Sequence, residues 1–293
     1  MRILVTGGAG FIGSHVIKKL LQNKENVVFN LDKMGYASST YMLDKLIKEN
    51  SSISSNQYKF LNIDLSSKPE TEKAIEEAKP NLIMHLAAES HVDRSIDGPE
   101  EFIKSNIVGT FNLLESARKF WSRLNSDEKD NFRFHHISTD EVFGSLGDSG
   151  SFSEETPYDP RSPYSASKAS SDHLVKAWYH TYRMPILLTN CSNNYGPWQF
   201  PEKLIPTVIL KCLKNEKIPI YGDGENVRDW LFVDDHINAL IKVAREGRIG
   251  EKYCIGGNSE KTNLEVVSKI CLLVDKKLKR ENKSNTIISN PSD

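Results

Sequence analysis

Several features that would point to particular protein classes are missing from this chain. Its 4 cysteines, at Cys191, Cys212, Cys254 and Cys271, lie too far apart for a zinc site or a disulfide framework. A reducing compartment is therefore predicted. No apolar run approaches the roughly 20 residues of a membrane helix, and no signal peptide precedes the first predicted strand. We therefore predict a cytoplasmic protein with no metal site and no membrane association.

An excess of charge is also missing. The 38 basic and 39 acidic residues give a formal net charge of -1, so a basic surface for nucleic acid is not expected. The 8 histidines do not cluster. His135 and His136 lie in an apolar run, where we interpret them as strand residues with one side facing inward and the other outward.

What the chain has is a regular alternation of apolar runs and amphipathic stretches. The runs are typical of buried parallel strands, and the stretches between them are typical of helices. We predict a doubly wound α/β sheet of the Rossmann type in residues 1–190 and a smaller mixed α/β substrate-binding lobe in 191–293. The predicted strands are Ile3–Val5, Val27–Leu31, Tyr58–Ile63, Leu82–Leu86, Phe132–Ile137 and Ile186–Thr189. The predicted helices are Phe11–Leu21, Pro69–Ala78, Phe102–Trp121 and Ser165–Tyr182.

A glycine-rich turn joins the first strand to the first helix. Residues 6–13 read TGGAGFIG, with Gly7, Gly10 and Gly13 spaced for a tight turn that lets the backbone approach a pyrophosphate. The helix after the turn presents free N–H groups to that anion. Asp32 ends the second strand, where its carboxylate can accept hydrogen bonds from a ribose and would repel a 2′-phosphate. The pattern therefore predicts NAD as the cofactor rather than NADP.

Two further strand ends face the same predicted crevice. Asp64 and Leu65 follow the third strand, where the acid could reach an adenine edge or could cap the next helix. Leu86, Ala87 and Ala88 end the fourth strand, and the two alanines indicate that something approaches closely there.

A tyrosine and a lysine stand one helical turn apart at Tyr164 and Lys168. The lysine ammonium and a positively charged nicotinamide would both lower the pKa of the phenol, which suits it to take a proton from a sugar hydroxyl. In isolation the pattern is weak, because a surface ion pair beside a core aromatic has the same spacing. Downstream of a dinucleotide fold, the catalytic interpretation is favoured.

Paired carboxylates follow the fifth strand, in the segment Ser138-Thr139-Asp140-Glu141. At a strand end both can enter one crevice, where an acid and a base could act together. Once a hexose is oxidised at C4, Glu141 can remove the C5 proton and Asp140 can protonate the departing C6 hydroxyl. Thr139 can donate to the C4 oxygen. Burial and the neighbouring Glu141 are expected to raise the pKa of Asp140.

These residues lie within longer motifs that carry a family resemblance. The motifs are LAAESHVDRS at 86–95, STDEVFG at 138–144, YSASK at 164–168, NCSNNYGP at 190–197, FPEKLIP at 200–206 and YGDGENVRDW at 221–230. From Met1 to about Val267 the chain resembles the dTDP-glucose 4,6-dehydratase family of the extended short-chain dehydrogenase/reductase superfamily. The resemblance implies an NAD-dependent hydro-lyase of nucleotide-sugar and deoxysugar metabolism that acts on dTDP-glucose as a homodimer.

The resemblance also implies a role for each matching residue. Tyr164 would be the base at C4, Asp140 the acid and Glu141 the base. The implied cofactor set also contains Phe11, Ile12, Lys33, Ser105 and Asn194. The implied substrate set is Ser90, Thr139, Asn193, Lys203, Leu204, Pro219, Ile220, Tyr221, Arg228 and Asn263.

Two departures from the family pattern affect binding. Gly35 replaces a usual threonine, so one hydroxyl that could bond the cofactor is missing. The family's closing Asp-Arg-Pro-Gly-His motif is absent from these 293 residues, so the second lobe is expected to be truncated. Three alternatives stay open: a UDP-hexose 4-epimerase, a dehydratase of another nucleotide sugar, and a non-catalytic nucleotide-sugar binder.

Overall fold

The computed structural model describes residues 1–54, 56–147, 150–220, 223–280 and 288–289. The chain forms two compact units, and each is described by itself. The first contains Met1–Cys191 and Asp234–Ile255, and the second contains Ser192–Val233 and Gly256–Asp293. Asp234–Ile255, which lies within the predicted second lobe, thus returns to the first unit. The functional assignment of the two predicted domains stays a prediction.

The first unit is built on a parallel sheet of seven strands in the order β10-β6-β5-β4-β1-β2-β3. This confirms the predicted Rossmann-type fold. All six sequence-predicted strands are present, and β10 adds a seventh. The strands are β1 (Arg2–Thr6), β2 (Val27–Asp32), β3 (Tyr58–Asn62), β4 (Leu82–His85), β5 (Arg133–Thr139), β6 (Ile186–Cys191) and β10 (Lys252–Ile255).

Helices follow most of these strands, as parallel crossovers require. They are α1 (Phe11–Leu20), α2 (Tyr41–Glu49), α3 (Lys68–Ala78), α4 (Val92–Asp97), α5 (Pro99–Phe102), α6 (Gly109–Ser122), α7 (Ser126–Asn131), α8 (Pro163–Tyr182) and α10 (Val233–Glu246). The pairing of Ile3 with Val28 and with Leu82 sets β1 between β2 and β4. The strand order therefore reverses beside β1, which is where ligands bind in open parallel sheets.

Apolar side chains on both faces of the sheet form the core. Ile186, Leu187 and Leu188 follow one another on β6 and are all completely buried, so both faces of the sheet are covered. The coverage of both sheet faces also explains why the sequence interpretation of two histidines was wrong. His135 and His136 were expected to face opposite environments, but both have 0 % exposure because neither face of β5 reaches solvent.

The predicted helix Phe102–Trp121 is interrupted in the structure. A π-helical segment, Ile103–Val108, lies between α5 and α6. Wider π-helical turns are frequent at functional sites. Here the segment carries Ser105 and the buried Asn106 near the end of β4.

In its described residues, the second unit contains two small sheets and two helices. A three-stranded sheet has the order β11-β9-β7, and β8 pairs with β12. The elements are β7 (Asn193–Tyr195), α9 (Leu204–Lys214), β8 (Ile218–Pro219), β9 (Val227–Phe232), β11 (Glu260–Thr262), α11 (Asn263–Leu278) and β12 (Ile288–Ser289). A core that includes Val208, Cys212, Val267 and Cys271 joins α9 to α11. Among the described residues, no helix is long and apolar enough to cross a membrane.

Candidate active site

The glycine turn between β1 and α1 has no room for side chains. Gly7 has a φ of +72°, and a Cβ there would lie 2.6 Å from the Ala87 nitrogen. A Cβ on Gly13 would lie 2.2 Å from the Gly7 oxygen, so helix and turn are in direct contact. Gly10 is the N-cap of α1, and no side chain caps the helix. This glycine cradle at an uncapped helix N-terminus fits the pyrophosphate of a dinucleotide.

Asp32 connects the glycine turn to the loop after β2. One carboxylate oxygen accepts from the Ala9 N–H at 3.0 Å. The other accepts from the Met34 N–H at 2.8 Å and from the Ser38 hydroxyl at 3.0 Å. The predicted ribose acceptor is therefore also a structural clamp on the turn.

The strands β2 and β4 lie on either side of β1. Two contacts join the loop after β2 to the segment after β4. The Lys33 ammonium lies 2.7 Å from the Glu89 carboxylate. The Arg94 guanidinium stacks over the Tyr36 ring, 3.6 Å from its centroid. Burial lowers the pKa of Lys33, but the hydrogen bond and ion pair with Glu89 outweigh it and leave the pKa raised. We call these two contacts the loop bridge.

Asp64 and Leu65 form a turn at the end of β3. The Asp64 carboxylate accepts from the Ser66 N–H at 2.8 Å, and Ser67, rather than Asp64, is the N-cap of α3. The Leu65 carbonyl accepts from the Asn112 amide at 2.9 Å, which fixes the turn against α6.

The small residues after β4 lie against the glycine turn. Ala87 is the residue that Gly7 approaches, so the close approach inferred from the two alanines comes at least partly from the protein backbone itself. The Asn106 side chain then holds the next backbone segment, because it accepts from the Glu89 N–H at 2.8 Å and donates to the Glu89 carbonyl at 3.0 Å. Sequence reasoning missed Asn106, because a single polar residue in an amphipathic stretch gives no reason to select it.

Thr139 ends β5 and starts a 3₁₀ turn, Asp140–Phe143. Its hydroxyl accepts from the Glu141 N–H at 3.2 Å and lies 3.3 Å from an Asp140 carboxylate oxygen, to which it donates. Because the chain turns immediately, Asp140 and Glu141 do not alternate between faces as they would along a strand. Both are half-buried.

Tyr164 lies in the first turn of α8, which starts after the capping box of Ser162 and Ser165. Its side chain is buried, and burial followed by the negative charge of Glu141 raises its pKa well above the ordinary value. A hydrogen bond with Thr139 acts in the opposite direction. Thr139, Asp140 and Glu141 therefore all act on the Tyr164 phenol.

Lys168 is also buried, and its ammonium donates to the Ile137 carbonyl at 3.0 Å. Burial lowers the pKa of Lys168, whereas the charge of Asp172 acts to raise it. In the protein alone, burial and the charge of Glu141 leave the pKa of Tyr164 raised, so its expected lowering by Lys168 together with a bound nicotinamide stays a prediction.

A buried polar network beneath these residues escaped the sequence analysis. Asp172 contacts His136, Tyr158 and Asn190, which come from different parts of the first unit. One signal was available, because Asp172 is one helical turn after Lys168 on α8.

The second unit carries most of the implied substrate residues. Asn193 and Asn194 lie on β7, Lys203 is the N-cap of α9 before Leu204, and Asn263 begins α11. Arg228 lies on β9 and is exposed. Pro219 ends β8. Ile220 belongs to the apolar core of this unit, and Tyr221 lies outside the described residues.

Ser90 and Ser105 belong to the first unit, after β4 and in the π-helical segment. No group of three or more His, Cys, Asp and Glu side chains that could hold a metal ion occurs in the described part of the chain.

Known proteins are similar to this chain over most of its length. A family model described as GDP-mannose 4,6 dehydratase matches residues 4–292. The dTDP-glucose 4,6-dehydratase of Salmonella typhimurium is 54 % identical over 284 residues, which are 94 % of this chain and 77 % of that protein.

Solved structures show the same fold. The dTDP-glucose 4,6-dehydratase of Bacillus anthracis, in complex with NAD, has a TM-score of 0.84 and 42 % identity, covering 99 % of this chain and 84 % of that one. A UDP-glucose 4-epimerase of Thermus thermophilus, also in complex with NAD, has a TM-score of 0.80 but only 26 % identity, covering 99 % and 87 %.

Proposed function

The chain belongs to the family of dTDP-glucose 4,6-dehydratases, and from this we propose that it converts dTDP-glucose to dTDP-4-dehydro-6-deoxyglucose as an NAD-dependent hydro-lyase. The observation that carries the proposal is the grouping of Thr139, Asp140 and Glu141 beside Tyr164 at the carboxyl end of β5. This grouping contains the hydroxyl, the acid and the base that dehydration of a hexose needs.

The first unit offers the residues that would hold NAD. The cradle of Gly7, Gly10 and Gly13 and the N–H groups of Phe11 and Ile12 suit the pyrophosphate, and Asp32 suits the adenosine ribose. The proposed set is completed by Lys33, Asp64, Leu65, Leu86, Ala87, Ala88, Ser105, Tyr164 and Lys168 of this unit, and by Asn194, which belongs to the second unit. A bound NAD would supply the hydride chemistry, as the oxidant needed at C4 and, once reduced, the reductant needed at C6.

The chain's own residues handle the protons. Tyr164 takes the proton of the C4 hydroxyl, and the Thr139 hydroxyl donates to the C4 oxygen as charge develops there. Because the C4 ketone makes the C5 hydrogen acidic, the Glu141 carboxylate can remove it and, once protonated, can give a proton back to C5 when C6 is reduced. Asp140 protonates the departing C6 hydroxyl, which leaves as water. The adjacent acid and base thus act on neighbouring carbons of the same sugar.

The raised pKa of Tyr164 has a consequence for the first step. A buried phenol next to Glu141 stays protonated at neutral pH unless a positive charge is present. A bound nicotinamide cation and the Lys168 ammonium have the sign that favours the phenolate. We therefore infer that Tyr164 becomes a base only in the holoenzyme.

The second unit supplies groups suited to a nucleoside diphosphate. Lys203 and Arg228 are cations that can bind phosphate oxygens, and Asn193 is an amide suited to hydroxyl or phosphate oxygens. Leu204, Pro219, Ile220, Tyr221 and Asn263 complete the proposed set, together with Ser90 and Thr139 of the first unit.

We further infer that the chain forms a homodimer through α6 and α8. Val108 precedes α6, Phe111 lies on it and Tyr182 ends α8, and all three side chains are exposed apolar groups. The predicted cytoplasmic location stays a prediction.

The test of the activity uses purified protein incubated with dTDP-glucose, followed by the absorbance of the 4-keto product in alkali. Glu141→Gln should lower kcat by about 10²- to 10⁴-fold, because it removes the base at C5. It should still reduce bound NAD on mixing with substrate, since oxidation at C4 does not need Glu141. Glu246→Gln, on the exposed end of α10, is the matched control and should keep wild-type activity.

Three other results would overturn the proposal. Formation of dTDP-galactose without a keto sugar would indicate an epimerase. Turnover of another nucleotide sugar in preference to dTDP-glucose would indicate a different dehydratase. Stoichiometric bound NAD without any turnover would indicate a non-catalytic binder.

A further inference from the structure

Asp172 is a completely buried carboxylate that the proposed reaction does not use. It lies on α8, one turn after Lys168 and two turns after Tyr164, so all three residues share one side of the helix. An ionised carboxylate without solvent is strongly destabilising unless hydrogen bonds and an opposite charge compensate it. The contacts of Asp172 therefore need an explanation.

Three donors from separate parts of the first unit surround this carboxylate. Oδ1 accepts from Nε2 of His136 on β5 at 3.1 Å, and Nε2 carries the proton because a carboxylate oxygen can only accept. Oδ2 accepts from the Tyr158 hydroxyl at 2.9 Å and from Nδ2 of Asn190 on β6 at 3.1 Å. Burial acts to raise the pKa of Asp172, but the hydrogen bond and charge of His136, followed by the charge of Lys168 and a hydrogen bond with Ser138, outweigh it and hold the pKa below its ordinary value.

Asn190 links Asp172 to the end of β5. Its Nδ2 group donates a second hydrogen bond, to the Thr139 carbonyl, at 2.9 Å. That carbonyl belongs to the peptide between Thr139 and Asp140. With both amide protons directed at fixed acceptors, the plane of the Asn190 side chain is set. The peptide from which the proposed acid and base project is therefore tied to Asp172.

A second link runs to Lys168. Its buried ammonium donates to the Ile137 carbonyl, which is neutral, so this contact supplies no countercharge. Among the acidic groups that act on Lys168, Asp172 has the largest effect, and its charge favours the ammonium form. The helix spacing brings the two charges to the same side of α8.

We propose that Asp172 is a positioning residue for the reaction, which orients the Thr139–Asp140 peptide through Asn190 and serves as the buried countercharge of Lys168. The proposal rests on the function proposed above. It assigns a task to a residue that touches neither sugar nor cofactor.

The test compares wild type with Asp172→Asn, which keeps the shape but removes the charge and one acceptor. Asp275→Asn is the matched control, because Asp275 is a buried carboxylate of α11 paired with Arg280 at 2.8 Å in the second unit. We expect Asp172→Asn to lower kcat per bound NAD by about 10- to 100-fold, as loss of alignment does, with KM changed less than about twofold. The control should lose thermal stability but keep kcat.

The pH profile separates positioning from a merely structural role. The titratable groups that face the Asp172–Lys168 pair are His85 on β4, His136 on β5, Cys191 on β6, Lys252 on β10 and Tyr158. Asp172 raises the pKa of Lys168, so its removal lets the ammonium lose its proton at lower pH. The alkaline limb of kcat should therefore move to lower pH in Asp172→Asn and stay in place in Asp275→Asn. A folded Asp172→Asn enzyme with unchanged kcat and an unchanged alkaline limb would overturn the proposal.

Two further measurements keep the outcome decisive. If Asp172→Asn does not fold, Tyr158→Phe removes one donor to the same carboxylate and should give a smaller decrease in kcat; no decrease counts against the proposal. Selective ¹⁵N labelling of lysine lets the Lys168 ammonium be followed by NMR, with Lys168→Met for assignment. Its signal should disappear at lower pH in the variant than in wild type, even if the protein does not turn over dTDP-glucose. An inactive wild type would thus count against the proposed function alone, and an unmoved NMR titration against the role of Asp172.

Discussion

At the scale of single residues, the glycine turn is the most constrained feature of the first unit. Gly7 combines a positive φ with a Cβ position only 2.6 Å from backbone of the neighbouring loop. Flexible side-chain ends can move aside, but the backbone here is held to Thr6, because the Leu86 N–H donates to the Thr6 carbonyl and the Ala87 N–H donates to the Thr6 hydroxyl. Substitution here must therefore displace either the turn or the end of β4.

We predict that Gly7→Ala lowers the free energy of unfolding by about 2 to 4 kcal/mol, through backbone strain and overpacking. It should also weaken NAD binding, because the displaced turn no longer presents its N–H groups to a pyrophosphate. Chemical denaturation and NAD titration measure the two effects. Gly147→Ala is the control, since no heavy atom lies within 4 Å of its added Cβ. Equal stability of the two variants would contradict the strain argument.

The site residues show what sequence reasoning could reach at this scale. Local spacing alone specifies the chemistry of Gly7, Asp32 and the pair Tyr164 and Lys168. Sequence reasoning therefore identified them. Asp172 was missed because its partners His136 and Asn190 come from different strands, and only the folded sheet brings them together. The burial of the Tyr164 phenol, which raises its pKa, was missed for the same reason, since burial depends on the whole fold.

At the scale of elements, the loop bridge has a predictable effect on cofactor binding. Two contacts hold the loops after β2 and β4 together, and these loops follow the strands on both sides of β1 and its glycine turn. They are the ion pair of Lys33 with Glu89 and the stacking of Arg94 on Tyr36. A binding loop that is already ordered loses less conformational entropy when a ligand arrives. The loop bridge should therefore favour retention of NAD.

We predict that Glu89→Gln raises the dissociation constant of NAD by about two- to fivefold, as expected for loss of a partly exposed ion pair. Calorimetric titration of NAD-free protein measures it. Glu77→Gln, which breaks the exposed pair of Glu77 with Lys59 on β3, should leave NAD affinity unchanged. Tighter binding by Glu89→Gln would show that the released Lys33 ammonium serves the cofactor rather than the loop bridge.

Sequence reasoning predicted the element boundaries where the apolar periodicity is strong. The predicted boundaries were wrong where local backbone geometry determines the type of helix. The strand runs from β1 to β6 follow from their apolar residues, because a parallel sheet is buried on both faces. The π-helical segment Ile103–Val108 was read as regular helix, since its apolar spacing resembles that of α6. One extra residue in a helical turn changes which side chains face the sheet but leaves little trace in composition.

At the scale of the whole molecule, the chain leaves the first unit after Cys191 and returns to it at Asp234. β10 then pairs with β6 and completes the sheet, with Lys252 opposite Leu188. Sequence patterns placed this stretch in the second lobe, because the change from long to short elements occurs near residue 191. A return crossing of this kind depends on sheet pairing between distant residues, which local patterns do not record.

The proposed dimer gives a prediction for the assembled protein. Phe111 lies edge-on to Trp178 with ring centroids 6.0 Å apart, and the Arg118 guanidinium stacks on the Tyr182 ring. α6 and α8 thus share an aromatic surface of which Phe111 and Tyr182 remain 38 % and 42 % exposed. Exposed clustered aromatics of this kind mark protein interfaces more often than isolated ones do.

We predict that Phe111→Glu converts the protein to a monomer, as measured by size-exclusion chromatography with light scattering. In a twofold dimer each surface patch meets its own copy, so one substitution introduces two buried carboxylates into the same interface. Tyr41→Glu is the control, because Tyr41 is 61 % exposed and belongs to α2, which is not part of the proposed interface, and the dimer should survive it. A Phe111→Glu protein that elutes like wild type would move the interface to another surface, and a monomeric wild type would exclude the dimer altogether.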